Sequence, residues 1–446
     1  MKYKAFQHTS IESLKQELDA LGEILPLAED VSILREPLPL RSRDTARTYP
    51  VIANRLAIQP MEGCDGTQSG EPGPLTLRRY DRFAQSGAGL IWVEAVAIVP
   101  EGRANSRQLQ LTEDNLSDYQ RLVETIKQST YSQFGFEPVL VMQATHSGRY
   151  AKQDQPRPMV MQQNLLLQRG ELLPEAAIVT DDYLKALPEK YASSAKLAEK
   201  AGFDGVDIKA CHRYLISESF SAYDRPGPYG GEPFENRTRL FRSALQAARA
   251  ALSSRVFVTS RMNIYDGYPY PYGMGVMPER GVEPVLDEAI AIVRMLREEF
   301  DAPIVDLTLG NPYFNPHVNR PFDQGPYKSD EHPLTGVARA NHCIGTIKAA
   351  VPEIAVLSSA LTYLRTLSGY LAAGQIREGV ADMAGFGRQA FAYPTFAADL
   401  LQTGKLDPRK ICITCSKCSQ LMRANTVAGC VVRDPEYLPI YRKALS

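Results

Sequence analysis

A chain of 446 residues, 44% hydrophobic and 23% charged, can hold one large barrel with additions or two to three average domains. A formal net charge of −1 and the lack of a long basic run exclude nucleic acid and an anionic membrane surface as expected main partners. No apolar signal region opens the chain and no window is apolar enough to span a bilayer, so the expected location is cytoplasmic. Of seven cysteines, four lie between Cys412 and Cys430, and in a reducing compartment they read as thiolate ligands rather than disulfides.

Residues 1–48 read as an N-terminal extension used for docking or oligomer contact. Ser10 is placed to cap a helix, and Leu14, Leu18, Leu21 and Ile24 form its apolar stripe. From Asn54 the pattern changes. Short apolar runs at 56–59, 89–96, 138–143, 204–209, 256–262, 303–309, 354–358 and 380–386 alternate with helical patterns, clearest at 116–128, 192–201, 241–252, 285–300 and 336–350. Alternation implies parallel strands joined by right-handed crossovers. Eight such units over 49–405 predict an α/β fold, a (β/α)8 TIM barrel, with an open doubly wound sheet as the alternative. Residues 406–446 are then a cysteine-bearing tail.

A barrel builds its chemistry on the loops that follow its strands. Polar and titratable residues gather there. Pro60, Met61, Glu62 and Cys64 follow the first run; Gln143, His146 and Arg149 end or follow the third. The fourth run, in the segment 201–239, breaks into a loop carrying Lys209, Cys211, His212, Arg213 and Tyr214, then a Gly/Pro-rich stretch before a helix near Glu235. The fifth ends in Arg261, and the sixth leads to Asn311 and His317. The eighth ends in Gly385-Phe386-Gly387-Arg388, where glycines admit an anion to the backbone and Arg388 adds charge, so a phosphate seat is expected. Too few residues follow for this to be a Rossmann fingerprint.

Several linked motifs resemble the old yellow enzyme family of FMN-dependent oxidoreductases, over about Asn54–Thr403. They are Asn54-Arg55 with Pro60-Met61, Gln143 with His146-Ser147-Gly148-Arg149, the segment Gly202–Leu215, and Tyr229-Gly230-Gly231 with Glu235-Asn236-Arg237. The resemblance implies an FMN cofactor, with Pro60, Met61 and Glu62 beside the flavin and Gln143 on its pyrimidine edge. Arg261 should stand near N1 and O2, where a cation stabilises reduced flavin. Gly387 and Arg388, with Ser358 and Ser359, should hold the phosphate. Tyr214 matches the proton donor to an alkene, and His212 and Lys209 match the pair that binds the substrate's carbonyl oxygen. NAD(P)H is the implied reductant, using the same pocket in turn. The activity implied is reduction of the activated C=C bond of an α,β-unsaturated carbonyl or enoyl small molecule. The alternative is an FMN/iron–sulfur amine dehydrogenase or demethylase, or an electron-transfer subunit fed by a partner protein. A homo-oligomer is also expected.

Three positions depart from the family pattern. Lys209 replaces a histidine and is a stronger point charge. Glu62 replaces a small polar or thiol residue, and a carboxylate there opposes anionic reduced flavin unless it turns away or is protonated. Ser358-Ser359-Ala360 replaces a glycine-rich turn. His317 is a candidate second acid. In the tail, Cys412-x2-Cys415-x2-Cys418-x11-Cys430 places three thiols in one tight turn and a fourth at a distance. That suits a 4Fe–4S cubane, with tetrahedral zinc as the alternative. The spacing resembles the iron–sulfur branch of the same family, which includes trimethylamine dehydrogenase and dienoyl-CoA reductase. Two roles follow for such a cluster: a port for an electron-donor protein, or a structural clasp.

Overall fold

The computed structural model describes residues 3–153, 155–325 and 329–445. A short antiparallel pair, β1 (Leu38–Pro39) and β2 (Val51–Ile52), precedes the main sheet. That sheet comprises β3 (Leu56–Ile58), β4 (Leu90–Ala97), β5 (Val139–Thr145), β6 (Gly205–Ile208), β7 (Phe257–Thr259), β8 (Arg261–Tyr265), β9 (Ile304–Leu309), β10 (Ala355–Ser358) and β11 (Met383–Phe386). Its order is β7-β6-β5-β4-β3-β11-β10-β9-β8, parallel throughout.

Only Ser260 separates β7 from β8. They are two halves of one stave, the first paired with β6 and the second with β9, so the nine strands close an eight-stave barrel. The break is satisfied locally: the Ser260 hydroxyl donates to Ile208 O (2.8 Å), and the Arg261 N–H donates to the Asp207 carboxylate (2.8 Å). Near-continuous apolar runs suit strands covered on both faces, and β4 through β9 are buried along their length.

All eight expected runs carry a stave. Three of the five expected helices start earlier than expected, whereas Leu116–Phe134 starts where expected and Asp287–Glu298 two residues later. Asp181–Ala201 begins eleven residues before the expected 192, capped by Thr180, whose side chain accepts from the Tyr183 N–H. Helices Pro74–Ala84 and Ser368–Arg377 have no counterpart in the sequence reading.

The N-terminal residues dock on the chain's own barrel. Helix Ile11–Leu21 is capped by Ser10 at one end and by left-handed Gly22 at the other. Leu14 and Leu18 are buried, but Leu21 lies at the surface and Ile24 is 86% exposed, so the expected stripe ends at Leu18. The Phe6 N–H donates to Asp323 (2.7 Å), and Ala28 N donates to Tyr370 O (3.1 Å). Leu38, Leu40, Tyr49 and Ile52 share one apolar cluster with barrel residues Ala57, Leu90, Val139, Phe257 and Ile304, plugging the end of the barrel where the strands begin.

The tail docks at the opposite end. Its own core is small, built on Leu421, Val431 and Tyr437. Asp434 anchors it, bound by Arg78 through two bonds (2.8 and 2.9 Å) and by Arg82 (2.9 Å). Ala428 N donates to Gly63 O (2.6 Å), and Arg320 reaches the Ser416 hydroxyl (3.1 Å). No helix among the described residues is long and apolar enough to cross a membrane.

Candidate active site

The strand C-termini open into a cleft of about 1050 Å³. Pro60, Met61, Glu62, Gln143, Lys209, His212, Tyr214, Arg261, Ser359, Gly387 and Arg388 all line it, and the tail contributes Cys418, Ser419, Met422 and Ala428. Ser358 points elsewhere: its hydroxyl is buried and donates to Gln375 Oε1 (2.7 Å). His317, on the short helix Pro316–Asn319, lies within electrostatic reach of Glu331 and Arg339 and does not line the cleft.

Beneath the cleft lies a polar layer. Asp207 on β6 accepts from Gln143 Nε2 (2.6 Å), Trp92 Nε1 (2.8 Å) and the Arg261 N–H (2.8 Å). Asp306 on β9 accepts from Gln59 Nε2 (2.8 Å) and lies 3.0 Å from Arg261 Nε. Arg261 Nη1 donates to Pro60 O (3.1 Å). Because the Gln143 amide nitrogen is committed to Asp207, its carbonyl oxygen is the end left for a ligand. Neither Asp207 nor Asp306 was singled out in the sequence; the acidic residue inside an apolar strand was the available signal.

Burial pushes the Asp207 carboxyl up to about 7, against its three donors, and the Asp306 carboxyl up to about 6, against Arg261 and Gln59. In the unfolded chain an aspartate titrates near 3.8, so between that pH and about 7 the folded protein holds a proton on Asp207 that the unfolded chain has released. Raising the pH through that window therefore works against the folded state. The thermal midpoint of apoprotein should decline between these limits by calorimetry, and Asp207→Asn should flatten the slope even if its absolute midpoint is lower.

Above this layer, Tyr214 Oη donates to Glu62 Oε1 (3.1 Å) and lies 2.9 Å from Tyr313 Oη. Lys209 Nζ stands 3.7 Å from Glu62 and 3.8 Å from the centre of the Tyr214 ring. The positive charge of Lys209, which the family resemblance pairs with His212 on a substrate oxygen, is thus shared with Glu62, and Glu62 does not face the cleft as an unpaired anion. Burial first, then the neighbouring Glu62 and Tyr313, raise the Tyr214 phenol well above its usual 10, so it keeps its proton. Burial, then Arg261 and Lys209, lower the His212 imidazole well below 6.5, so it is neutral at pH 7.

His212 and Arg213 are consecutive non-glycine residues in the left-handed region (φ +64° and +60°). That conformation costs free energy and is held by surroundings. Arg213 provides them, donating to the Ser221 hydroxyl (2.6 Å) and to Asp266 (3.1 Å), while the Asn263 side chain accepts from the His212 N–H (3.3 Å). Tyr313 was missed by sequence reading because it comes from the irregular loop after β9.

The glycine-lined end fits a phosphate. A Cβ on Gly387 would stand 2.8 Å from Met61 Sδ. Ser359 Oγ and Arg388 Nη1 line the cleft and are buried, with no hydrogen-bond partner among the described residues. Such orphans call for a polar ligand. In the tail, Cys412, Cys415, Cys418 and Cys430 line one pocket, along with Lys417 and Arg433. Among the described residues no three His, Cys, Asp or Glu groups converge as ligands of a single ion. The donor set is four thiols around a shared space with three cations (Arg388, Lys417, Arg433) on its wall, which fits a compact anionic cluster. Arg388, Phe391 and Cys418 line both cavities.

A closed parallel barrel with a cationic cleft at its strand C-termini, fitted at one end for a phosphate, is the architecture of a TIM-barrel enzyme. The profile of the NADH:flavin oxidoreductase / NADH oxidase family matches residues 49–275, and the chain belongs to that family. It is an oxidoreductase of the old yellow enzyme type. An NADPH dehydrogenase from Clostridium acetobutylicum is 28% identical over 262 residues, covering 58% of this chain and 70% of that protein. One from Bacillus pumilus is 30% identical over 222 residues, covering 46% of this chain and 59% of that protein. Among solved structures, 2-naphthoyl-CoA reductase in complex with 2-naphthoyl-CoA superposes with a TM-score of 0.70 at 17% identity, over 92% of this chain and 58% of that one. Histamine dehydrogenase from Rhizobium sp. 4-9 gives 0.65 at 17%, over 92% and 53%, and an old yellow enzyme homologue from Zymomonas mobilis gives 0.59 at 20%, over 84% and 94%. These likenesses are of fold. The chain spans little more than half of the first two structures.

Proposed function

We propose that this protein is an FMN-dependent ene-reductase that adds a hydride and a proton across the C=C bond of an α,β-unsaturated carbonyl or enoyl compound, with NADH or NADPH as reductant. The observation that carries the reading is the meeting of Tyr214, His212, Gln143 and Arg261 in one cleft with the unpartnered Ser359 Oγ and Arg388 Nη1. FMN held there supplies the hydride. Gly387, Ser359 and Arg388 hold its phosphate, and Gln143 and Arg261 face its ring. His212, neutral, binds the substrate's carbonyl oxygen, and Tyr214 gives its proton to the α-carbon. Lys209 and Glu62 orient Tyr214 by clamping its ring and hydroxyl. Cys412, Cys415, Cys418 and Cys430 hold a 4Fe–4S cluster.

The test is the visible spectrum of anaerobically purified protein, taken before and after NADH or NADPH, then after 2-cyclohexen-1-one. Bleaching by the nicotinamide and recovery with the enone is the expected result. Bleaching by an amine instead favours the dehydrogenase alternative. Response to dithionite but not to nicotinamide favours an electron-donor protein, and a colourless protein overturns the proposal.

Arg388→Ala should weaken FMN binding. A hydrogen bond to a charged group contributes about 1.5–3 kcal/mol, so the Kd should rise roughly tenfold to a hundredfold. Ultrafiltration of diluted holoprotein, with released FMN read by fluorescence, measures it.

A further inference from the structure

A second cavity of about 800 Å³ adjoins the cleft and shares Glu62, Tyr313 and Met422 with it. Its walls come from the loops after β3 (Glu62, Cys64), β4 (Arg107), β5 (Arg149, Tyr150, Lys152) and β9 (Tyr313), and from the tail (Arg423). Four cations and one carboxylate therefore line it. Arg149 is paired with buried Glu218, and Glu62 with Lys209. Arg107, Lys152 and Arg423 have no carboxylate within ion-pair distance among the described residues. The Arg107 guanidinium is held by carbonyl oxygens alone, Cys64 O (3.0 Å) and Asn425 O (2.7 Å), and Arg423 by Pro312 O (3.3 Å). Neutral acceptors fix both groups without neutralising them.

Resting on the proposed alkene reduction, we infer that this cavity is a subsite for a phosphate-bearing tail of the molecule that reacts in the cleft. The aromatic partition sets the path. The Tyr150 and Tyr313 rings stack with centroids 4.0 Å apart, and the Tyr313 ring lies 6.4 Å from the Tyr214 ring and within 18° of parallel. A substrate with its reacting bond against Tyr214 projects past the Tyr313 edge into the basic chamber. Three cations around one space with no counter-charge among the described residues exceed what a single carboxylate requires and match a multivalent anion, for which guanidinium forks are suited. Low-dielectric walls focus that field on the entering group. The chamber also gives the tail a task beyond its thiols, since Met422, Arg423, Asn425 and Thr426 form one side of it.

Lys152 and Arg423 belong neither to the flavin seat nor to the proton-donating group, so the double variant K152Q/R423Q tests the subsite. Isothermal titration of holoprotein with inorganic pyrophosphate at low salt reads the site without any turnover. The variant should bind at least tenfold more weakly. Kinetics then separate the sources of phosphate. With crotonyl-CoA against neutral crotonyl-N-acetylcysteamine, the KM of the first should rise at least tenfold in the variant, with kcat and the KM of the second unchanged. A rise confined to the KM of NADPH or NADH supports the subsite and assigns it to the reductant's phosphates. Pyrophosphate that fails to bind wild type, or binds the variant equally, overturns the inference whether or not the protein reduces alkenes. Bound pyrophosphate without alkene turnover upholds the subsite and rejects the ene-reductase reading alone.

Discussion

Tyr214→Phe should slow the reaction of reduced protein with an enone by about 10²–10⁴-fold, the usual contribution of a positioned general acid. Reduction by NADH or NADPH should continue near the wild-type rate, because that half-reaction asks nothing of the phenol. Stopped-flow measurement of the two halves separates them. Phenylalanine preserves the ring under the Lys209 ammonium (3.8 Å) and leaves Glu62 its partner at 3.7 Å, so the loss is confined to one hydroxyl. The pH dependence carries a further sign. With its pKa raised well above 10, Tyr214 is protonated across the neutral and mildly alkaline range. The wild-type oxidative half-reaction should therefore stay flat to about pH 10, with no falling limb from the donor's ionisation. An unimpaired variant, or a wild-type rate that halves between pH 8 and 9, would assign the proton to another group.

The place of Tyr214 was legible in sequence for a physical reason, although its role as proton donor came from the family resemblance. It follows a short apolar run closely enough that barrel geometry alone puts it at the strand's C-terminal end, and the same holds for Gln143, Arg261 and Gly387-Arg388. Tyr313 was not legible, because it sits in irregular chain after β9 and reaches Tyr214 only through tertiary folding. Asp207 was hidden differently: it reads as part of an apolar run, and only the register placing it beside Gln143 and Thr259 shows that it organises the layer below the cleft. The fifth run looked like one strand, whereas Ser260 splits it into two halves that serve different neighbours. Such a break leaves no mark in hydrophobic periodicity. Lys209 shows the limit of residue-type reasoning. A lysine in a binding position suggests a free cation, yet Glu62, itself a departure from the family pattern, stands beside it, and each is the other's counter-charge. Helix Asp181–Ala201 was read short because Pro188 interrupts its pattern in the first half.

Removing one thiol from the tail should have effects well beyond the metal. Cys415 lines the thiol pocket but not the cleft, so Cys415→Ser isolates loss of the proposed cluster from any direct change at the cleft. Wild-type protein should carry about four irons per chain, and the variant close to none. The tail has only three buried apolar residues in its own core, too few to hold a segment of that size without a staple. Its docking then rests on polar contacts: the Asp434 pairs with Arg78 and Arg82, the bonds of Arg107 to Asn425 O, Arg320 to Ser416 and Arg423 to Pro312 O, and a few backbone bonds. Loss of the cluster should therefore loosen it, with tryptic cleavage after Lys417 or Arg423 at least tenfold faster than in wild type. Cys418, Ser419, Met422 and Ala428 form part of the cleft wall, so FMN should dissociate faster as well, although Cys415 never touches it. Iron content, proteolysis and flavin release are three separate readings of one change. One zinc per chain, with the same proteolytic response, would make the tail a structural clasp. Unchanged proteolysis and unchanged flavin release in an iron-free variant would show that protein contacts alone hold the tail to the barrel.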